Sequence, residues 1–439
     1  MDTVSPKQQR IAELAKQSPQ MAFTSLAYHI DLEWLGEAYR RTRKDGAAGV
    51  DGVTACEYEQ DLQGNLERLL NRAKSGSYRA PPVRRVYIPK GDGQQTRPLG
   101  IPTLEDKILQ RAVVMLLEPI YEHDFSDSSF GYRPKRSPHS ALDVLRENAI
   151  EGKGGWILEV DIRQFFETLD HNHLRSLLNH RVRDGVVLRL IGKWLKAGVL
   201  EDGNVRFSDS GSPQGGVISP LLANIYLHYV LDAWFEQEVR PRLGGQTWLV
   251  RYADDFVMGF TDESDARRVQ EALSKRLGKF GLTIHPDKTR LLPFQRPKAG
   301  TSGKGETVRG RPETFDFLGF THYWSHSRYG NWVIKRKTAA SRFRRALRTI
   351  SEWCRRHRHD PVEDQQRTLN HKLRGHYGYY GVTGNSHTLC AFRRSVRHVW
   401  RKWLNRRHRK RSMTWRRFER LERGYPLLAA RAVRSIYRS

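Results

Sequence analysis

The apolar positions of the chain follow two spacings that predict an ordered succession of helices and strands. Apolar residues three and four apart indicate helices, and these cover 1–40, 57–73, 103–117, 171–200, most of 210–235 and 264–280. Short apolar runs bounded by Gly or Pro indicate strands at 83–88 with a hairpin partner, 156–160, 248–260 (two strands and a turn at 253–255), 315–323 and 332–335.

Strands and helices are mixed up to about residue 335, and only helices are predicted after residue 338. This order predicts an α+β catalytic body followed by an α-helical appendage. No membrane span is expected, since the sequence has no run of about eighteen apolar residues. The N-terminal stretch lacks the apolar core of a secretory signal. The three cysteines, Cys56, Cys354 and Cys390, favour neither a disulfide framework nor a metal site, so a reducing cytoplasm is the expected compartment.

The positive charge of the chain is concentrated in its last quarter. The formal net charge is +28, and residues 331–439 hold 30 basic and 6 acidic residues, a net of +24. Large aromatic residues are interleaved with this charge, which a merely solvated basic tail would not need. A membrane surface is a weaker alternative, because guanidinium groups pair with phosphates and aromatic rings stack on bases. The region therefore predicts a nucleic-acid partner.

Three aspartates stand where apolar strands end. Asp161 closes the run WILEVD, while Asp254 and Asp255 occupy a tight turn between two apolar strands. Adjacent carboxylates repel each other and need a cation to lie close together. Two Mg²⁺ ions, with Mn²⁺ as a substitute, would activate a 3′-hydroxyl and stabilise a leaving pyrophosphate. A lone aspartate of this kind is usually solvated, but three together favour a metal site.

An ordered set of motifs resembles the bacterial group II intron reverse transcriptase/maturases. RYADDFV resembles the Y-x-D-D box of reverse transcriptases, and Asp161 with IRQFF resembles their first carboxylate motif. RPLGIPTLEDKILQRAV, SSFGYRP, SPQGGVISPLLANIYL and FLGF also occur in that family's order. The resemblance covers about two-thirds of the chain and implies RNA-directed DNA polymerisation, with splicing and retrohoming of an intron.

The resemblance also implies a right-hand polymerase, with an antiparallel sheet in its fingers and palm and an α-helical thumb. It divides the chain into an N-terminal helical extension, fingers and palm, a helical thumb or maturase (X) domain, and a short basic element that resembles a reduced DNA-binding domain: 1–40, 41–335, 336–408 and 409–439. The expected partners are an RNA template, a DNA primer, dNTPs and group II intron RNA. The expected location is the bacterial cytoplasm, with nucleoid association during action on DNA.

The family's roles carry over to particular positions of this sequence. Asp161 and Asp254 would bind both metals with help from Asp255. The nucleotide would be bound by further residues, namely Lys90 and Arg97 on the triphosphate, Phe166 under the sugar, Gln214 beside the template and Lys288 as a general acid. The plainer alternatives are a solvated hairpin charge for Lys90 or Arg97, a core residue for Phe166 and a surface lysine for Lys288. Phe165 competes with Phe166 as the residue that excludes a 2′-hydroxyl.

LNHKLRGHYGYYG (369–381) resembles the region of the family that binds intron RNA and the template–primer duplex. The candidate RNA contacts are Arg374, Arg393, Arg394, Arg397, Arg401, Lys402, Arg406 and Arg407. A generic basic helix is the alternative.

Other functions remain open on the sequence alone. A domesticated reverse transcriptase in phage defence or DNA repair would keep the same polymerase residues. A splicing factor without polymerase activity is disfavoured, because all three carboxylates are present. An RNA-dependent RNA polymerase is possible in principle. The string HNH at 171–173 lacks the paired cysteines of an HNH nuclease, which disfavours a nuclease. Family members with an endonuclease run further beyond the thumb-like region, so a target nick or primer is expected to be supplied by something else.

Overall fold

The computed structural model describes residues 4–89, 96–151, 155–201, 204–206, 211, 215–297, 313–327, 329–407 and 412–435. The chain forms two compact units, Met1–Val144 with Trp156–Leu291, and Leu145–Gly155 with Leu292–Ser439. This division follows spatial contacts. The division at residue 335, which rests on family resemblance, stays a prediction.

The first unit contains most of the mixed α and β structure. Its helices are α1 Val4–Gln17, α2 Leu32–Arg41, α3 Ala55–Glu59, α4 Leu62–Ser75, α5 Leu104–Asp124, α7 Phe165–Thr168, α8 His171–Leu178, α9 Gly185–Leu195, α10 Ser219–Leu227 and α11 Glu263–Lys279. Helix α6, Pro138–Ile150, spans the chain boundary between the units. Its strands are β1 Val83–Pro89, β2 Thr96–Ile101, β3 Trp156–Asp161, β4 Val199–Glu201, β5 Asn204–Arg206, β6 Thr247–Tyr252 and β7 Asp255–Phe260, and β8 Arg290–Pro293 leads into the second unit.

Two four-stranded sheets organise these strands. One has the order β2-β1-β4-β5 and the other the order β6-β7-β3-β8. The second sheet carries the predicted carboxylates, and its central pair, β3 and β7, is antiparallel. Thr103 caps the start of helix α5, because its hydroxyl accepts a hydrogen bond from the Asp106 amide. Helix α5 is buried along much of its length. A buried helix of this kind fixes the body of the unit by burying apolar surface.

Helix α10 continues without a break into wider helical turns. His228–Asp232 and Phe235–Val239 are π-helical, and Arg240–Arg242 is a 3₁₀ turn. Stretches of π-helix are rare and often lie at functional sites.

The second unit has a small sheet followed by helices. Its strands are β9 Phe315–Phe317, β10 Phe320–His326 and β11 Trp332–Thr338, in the order β11-β10-β9. Its helices are α12 Ala340–Arg356, α13 Val362–Tyr380, α14 Ser386–Leu404 and α15 Trp415–Gly424. Their core includes Leu369, Leu373, Phe392, Val396 and Trp400. The predicted α+β body with helices after residue 338 is confirmed.

Three local predictions were wrong. The helix predicted at 57–73 is two helices, α3 and α4, because Asp61 caps α4 with its carboxylate. The strand predicted at 315–323 is two strands, because Leu318 and Gly319 form a turn with φ of 48° and 80°. The helical prediction up to residue 200 misses β4, which pairs in parallel with β1.

Candidate active site

Strand register brings the predicted carboxylates together. Asp161 on β3 is paired directly with Asp255 on β7, and Asp254 lies in the two-residue turn before Asp255. Directly paired antiparallel residues have Cα atoms about 4.5–5.5 Å apart. We call Asp161, Asp254 and Asp255 the catalytic edge, since all three lie at one end of the same sheet and are the predicted catalytic residues.

The turn that carries Asp254 has an unusual backbone. Ala253 has φ of 59°, in the left-handed region that residues with a Cβ rarely adopt. Gly131 packs against this turn so closely that an added Cβ would lie 2.3 Å from the Ala253 amide nitrogen. Glycine is therefore required at residue 131, and its backbone supports the turn.

Burial makes the ionised form of Asp254 costly. Desolvation raises the pKa of its carboxyl, and the neighbouring Asp161 carboxylate raises it further. The Asp254 backbone amide and the guanidinium groups of Arg97 and Arg251 act in the opposite direction. The catalytic edge therefore favours a bound cation, which would relieve the repulsion between its carboxylates.

Lys288 lies inside this site. Its Nζ is 2.8 Å from Asp161 Oδ2. The segment that carries Lys288 is hydrogen-bonded to the end of β3. The His285 amide donates to the Asp161 carbonyl at 2.8 Å, and the Asp161 amide donates to Thr289 Oγ1 at 3.4 Å. The prediction that Lys288 serves the reaction stays untested, although its ammonium contacts a predicted metal ligand.

The donor set of the catalytic edge suits a hard divalent cation. Within the described residues, no three His, Cys, Asp or Glu side chains already form a metal-binding group. Mg²⁺ does not require one, because it is usually held by one or two carboxylates together with water and substrate phosphates. Three aspartates that approach across paired strands fit that mode of binding.

The predicted nucleotide contacts are only partly described. Lys90 and Gln214 lie outside the described residues. Arg97 pairs with Ile88 across the β1–β2 hairpin, and its charge reaches Asp254. Gly215, with φ of 117°, packs against the sheet, because a Cβ there would lie 2.4 Å from the Gly100 carbonyl oxygen. Gly215 thus permits close approach of its backbone to β2. The nucleotide contact of the preceding residue, Gln214, stays a prediction.

The two candidate phenylalanines are adjacent and buried. Phe165 is 2% exposed and Phe166 is 7% exposed, with ring centroids 5.4 Å apart. Phe165 also packs against Tyr226, which gives it a place in the core. The assignment of the sugar contact to Phe166 rather than Phe165 stays a prediction.

The segment SSFGYRP contacts the turn that carries Asp254 through Gly131, which its resemblance alone did not reveal. Tyr132 in this segment and Lys135 directly after it have φ of 58° and 60°, and such strained residues cluster at functional sites. Tyr132 is 55% exposed. Partial desolvation of its hydroxyl raises its pKa, and the charge of the Asp254 carboxylate raises it further. In the sequence, the feature that could have indicated this contact is a glycine inside an aromatic, basic loop.

The predicted RNA contacts of the second unit fall into two groups. Side chains of the first group make hydrogen bonds within the unit: Arg393 with the Leu427 carbonyl, Arg397 with Glu422, Arg401 with the Met413 carbonyl and Arg407 with the Arg358 and Asp360 carbonyls. Those of the second group are exposed: Arg374, Arg394, Lys402 and Arg406. Helix α12 was overlooked as a candidate, and it exposes Arg342, Arg344, Arg345, Arg348, Arg355 and Arg356.

The HNH string has ordinary structural contacts. Asp170 caps α8 by accepting from the His173 amide at 2.7 Å. His171 Nε2 lies 2.6 Å from the Gly211 carbonyl, and the His173 ring packs against Phe280. These contacts give the string a structural role on α8, and its reading as no nuclease motif stays a prediction.

None of the helices in the described part of the chain combines the length and apolar character needed to cross a bilayer.

Comparison with known protein families identifies two regions. Residues 88–322 match the family described as "Reverse transcriptase (RNA-dependent DNA polymerase)". Residues 343–421 match "Group II intron, maturase-specific domain".

Individual relatives agree with these matches. Protein YkfC of Escherichia coli is 36% identical over 323 residues, which cover 66% of this chain and 84% of that protein. The group II intron-encoded protein LtrA of Lactococcus lactis is 38% identical over 223 residues, 50% of this chain. The matched part is 37% of LtrA, so this chain corresponds to less than half of that relative. The putative COX1/OXI3 intron 1 protein of Saccharomyces cerevisiae is 26% identical over 356 residues, 66% of this chain and 42% of that protein.

Proposed function

This chain belongs to the reverse transcriptase family and carries a group II intron maturase-specific domain, and we propose that its catalytic edge adds dNTPs to a DNA primer on an RNA template. The observation that carries the proposal is the pairing of Asp161 with Asp255, with Asp254 in the adjoining turn. This pairing puts three oxygen donors at one end of one sheet.

Asp161, Asp254 and Asp255 would hold two Mg²⁺ ions, or Mn²⁺ in their place. Bound there, the ions would lower the pKa of the primer 3′-hydroxyl and neutralise the departing pyrophosphate. The chain fixes the ligands in advance through strand register, so little reorganisation is needed when the substrate binds.

The cationic groups around the edge would bind and release the triphosphate. The charge of Arg97 already reaches Asp254, which suits a contact with the outer phosphates. Lys288 contacts Asp161, so its ammonium is within reach of the site and can give a proton to the departing pyrophosphate. Lys90 and Gln214 are proposed in the same site on resemblance alone, and Phe166 is proposed to exclude a 2′-hydroxyl.

A primer-extension assay tests the chemistry. Wild-type protein should extend a DNA primer on an RNA template with dNTPs and Mg²⁺, and Asp254→Asn should not. Asp287→Asn is the matched control, because Asp287 is an exposed carboxylate outside the catalytic edge, in the segment that carries Lys288. Activity in Asp254→Asn equal to that of Asp287→Asn would refute the assignment.

The nucleotide preference has its own test. Phe166→Ala should incorporate NTPs more readily than wild type, because a smaller side chain removes the clash with the 2′-hydroxyl. An unchanged preference would assign the role to another residue, with Phe165→Ala as the comparison. NTP use by the wild-type protein would instead favour RNA synthesis.

The RNA partner is proposed to be a group II intron that the chain helps to splice. The exposed cations of α12, α13 and α14 support a polyanion contact. Sequencing of the RNA that copurifies with the protein tests this, and intron domains in that RNA are the expected result. RNA without intron domains would favour a domesticated role in phage defence or DNA repair.

A further inference from the structure

Arg251 is a fully buried cation on β6, two residues before Ala253. Its side chain is 0% exposed, and so is that of its partner, Asp232. Arg251 Nε and Nη2 donate to the two carboxylate oxygens of Asp232 at 2.8 and 2.5 Å. A buried pair of this kind is costly to desolvate, so its presence within a polymerase sheet needs a reason beyond stability.

The remaining nitrogen of the guanidinium points toward the catalytic edge. Arg251 Nη1 donates to the Ala253 carbonyl oxygen at 3.0 Å and to Asn224 Oδ1 at 3.0 Å. Asn224 Nδ2 in turn donates to the Gly131 carbonyl oxygen at 2.7 Å. The side-chain network therefore connects both parts of the strained backbone contact, the Ala253 turn and the Gly131 loop that presses on it.

Backbone hydrogen bonds complete the same arrangement. The Arg251 amide donates to the Ser128 carbonyl at 2.8 Å, and the Phe130 amide donates to the Arg251 carbonyl at 2.8 Å. Gly131 is thus fixed beside the turn from two directions. The Ala253 backbone would otherwise leave its left-handed conformation, which costs a non-glycine residue free energy.

The π-helical turns explain how two distant residues reach one guanidinium. In a regular α-helix of 3.6 residues per turn, Asn224 and Asp232 would be about 80° apart around the axis. His228–Asp232 is π-helical, and its wider turns reduce the rotation per residue. Asn224 and Asp232 consequently face the same side and bind the same Arg251.

We propose that Arg251, held by Asp232 and Asn224, is a positioning residue that keeps the Ala253 turn strained and so fixes the direction of the Asp254 and Asp255 carboxylates. The inference rests on the proposed function, since it assigns a task to residues behind the same metal-binding edge. Arg251 contacts no reacting atom and acts through the Ala253 carbonyl. Loss of this contact would let the turn relax and move the carboxylates relative to Asp161.

The first test is Arg251→Lys, which keeps the buried charge beside Asp232. An ammonium cannot reproduce the planar fork that serves Asp232, Asn224 and Ala253 together. The kcat for primer extension should fall about tenfold or more, because small misplacements of reacting groups have large kinetic effects. The KM for dNTP should change little, and half-saturation by Mn²⁺, followed by the electron paramagnetic resonance of free Mn²⁺, should need a higher concentration.

Arg181→Lys is the matched control. Arg181 is another buried arginine of the first unit, paired with Asp124 at 2.8 Å and bonded to the carbonyls of Ser18, Pro19 and Met21. Its replacement should lower the unfolding temperature without altering kcat or Mn²⁺ binding in the folded protein. Equal kinetic losses in the two variants would overturn the proposal, because both would then reflect general instability.

The second test is rescue by Ala253→Gly. Glycine adopts the left-handed conformation without the Cβ penalty, so it should restore part of the kcat and the Mn²⁺ affinity of Arg251→Lys. It should restore neither unfolding temperature nor activity in Arg181→Lys. Absence of rescue, or a wild-type kcat and Mn²⁺ affinity in Arg251→Lys, would overturn the positioning role. If wild-type protein failed to extend any primer, the proposed function would fail, and the Mn²⁺ measurements would still test the positioning role.

Discussion

The catalytic edge and helix α14 both gather like charges, and they do so by opposite means. The three carboxylates of the edge are fixed by strand register and by a buried network behind the turn. The cations of α14 lie along one helix, and several are already neutralised or bonded within the unit. In the catalytic edge each carboxylate has a role that no other residue can take over. On α14 a weak interaction is distributed over many residues.

This contrast separates two kinds of charged site. Two-metal chemistry depends on the distance between a few oxygens, so one substitution should remove it. Polyanion binding depends on the number of phosphates neutralised, so single substitutions should weaken it in small steps that depend on salt. Substitutions in the two regions should therefore differ in the size of their effect and in its dependence on salt.

The largest effect is expected at the edge itself. Asp161→Asn keeps the shape of the side chain and removes the charge opposite Asp255, so the primer-extension rate should fall on the order of 10³-fold. Glu271→Gln, an exposed change on α11 that breaks only the ion pair with Lys275, should leave the rate unchanged. A fall of less than tenfold in Asp161→Asn would contradict the contrast, since the edge would then tolerate the loss of one charge as a distributed basic surface does.

Gly131→Ala should produce the next largest effect. The added Cβ would meet the Ala253 backbone, so the turn must move, and the rate should fall on the order of 10²-fold. Gly192→Ala is the control, because a Cβ there meets nothing within 4 Å and alanine favours its helix. Equal rates in the two variants would show that the loop at Gly131 does not position the edge.

The cations of the second unit should give a smaller, salt-dependent effect. Joint replacement of the exposed Arg374, Arg394, Lys402 and Arg406 by Gln should weaken RNA binding about tenfold at moderate salt. It should also lower the slope of log K against log salt by up to roughly 3.

Arg397→Gln is the contrasting variant, since Arg397 is bonded to Glu422 at 2.6–2.9 Å. It should lower the unfolding temperature and leave that slope unchanged. If Arg397→Gln lowered the slope and the joint replacement did not, the division into exposed RNA-binding cations and internally bonded cations would be wrong. Filter binding over a salt series and thermal unfolding supply the two measurements.

The smallest effect on catalysis is expected at a carboxyl that is buried away from the edge. Burial raises the pKa of Asp106 to about 7, and its carboxylate accepts a hydrogen bond from the Tyr78 hydroxyl. Since the folded pKa exceeds that of the unfolded chain, its protonated form stabilises the fold at low pH. That contribution is lost as the pH rises from about 4 through 7.

Asp106→Asn should remove this pH dependence. Its unfolding free energy should exceed that of the wild type at pH 8 by up to about 4 kcal/mol, while the extension rate stays unchanged. Urea unfolding at pH 5 and pH 8 measures the difference. A large rate loss in this variant would mean that a carboxyl outside the catalytic edge is also needed for the reaction. Position at the paired strand ends would then no longer separate the functional carboxylates from the others.

The sequence predicted the edge because Asp161 closes one apolar strand while Asp254 and Asp255 lie in the turn between two others, and the ends of strands in one sheet can meet. It did not predict the turn at Leu318 and Gly319, because Phe, Leu and Tyr dominate FDFLGFTHY, which therefore reads as one strand. Tyr379 stabilises that turn by donating to the Leu318 carbonyl at 2.7 Å. A contact between residues so distant in sequence leaves no local pattern.

The same limit applies to the charged residues. Arg251 sits inside an apolar strand, and nothing near it in sequence indicates Asn224 or Asp232 as partners. On α14, the count of arginines predicted a basic helix, but Arg397 pairs with Glu422 on another helix. Charge can be counted along a sequence, whereas its neutralisation depends on tertiary contacts.

The π-helical turns after α10 have a consequence for how this protein can evolve. Between Asn224 and Asp232 the wider turns accommodate one residue more than a regular helix would need, because partners seven residues apart in a regular helix differ by only about 20° around the axis. Deletion of one residue there should return the helix to regular turns and leave both partners facing Arg251. Insertion of one residue should instead rotate one partner away from Arg251 by roughly 100°, so this stretch should tolerate the loss of a residue better than the gain of one.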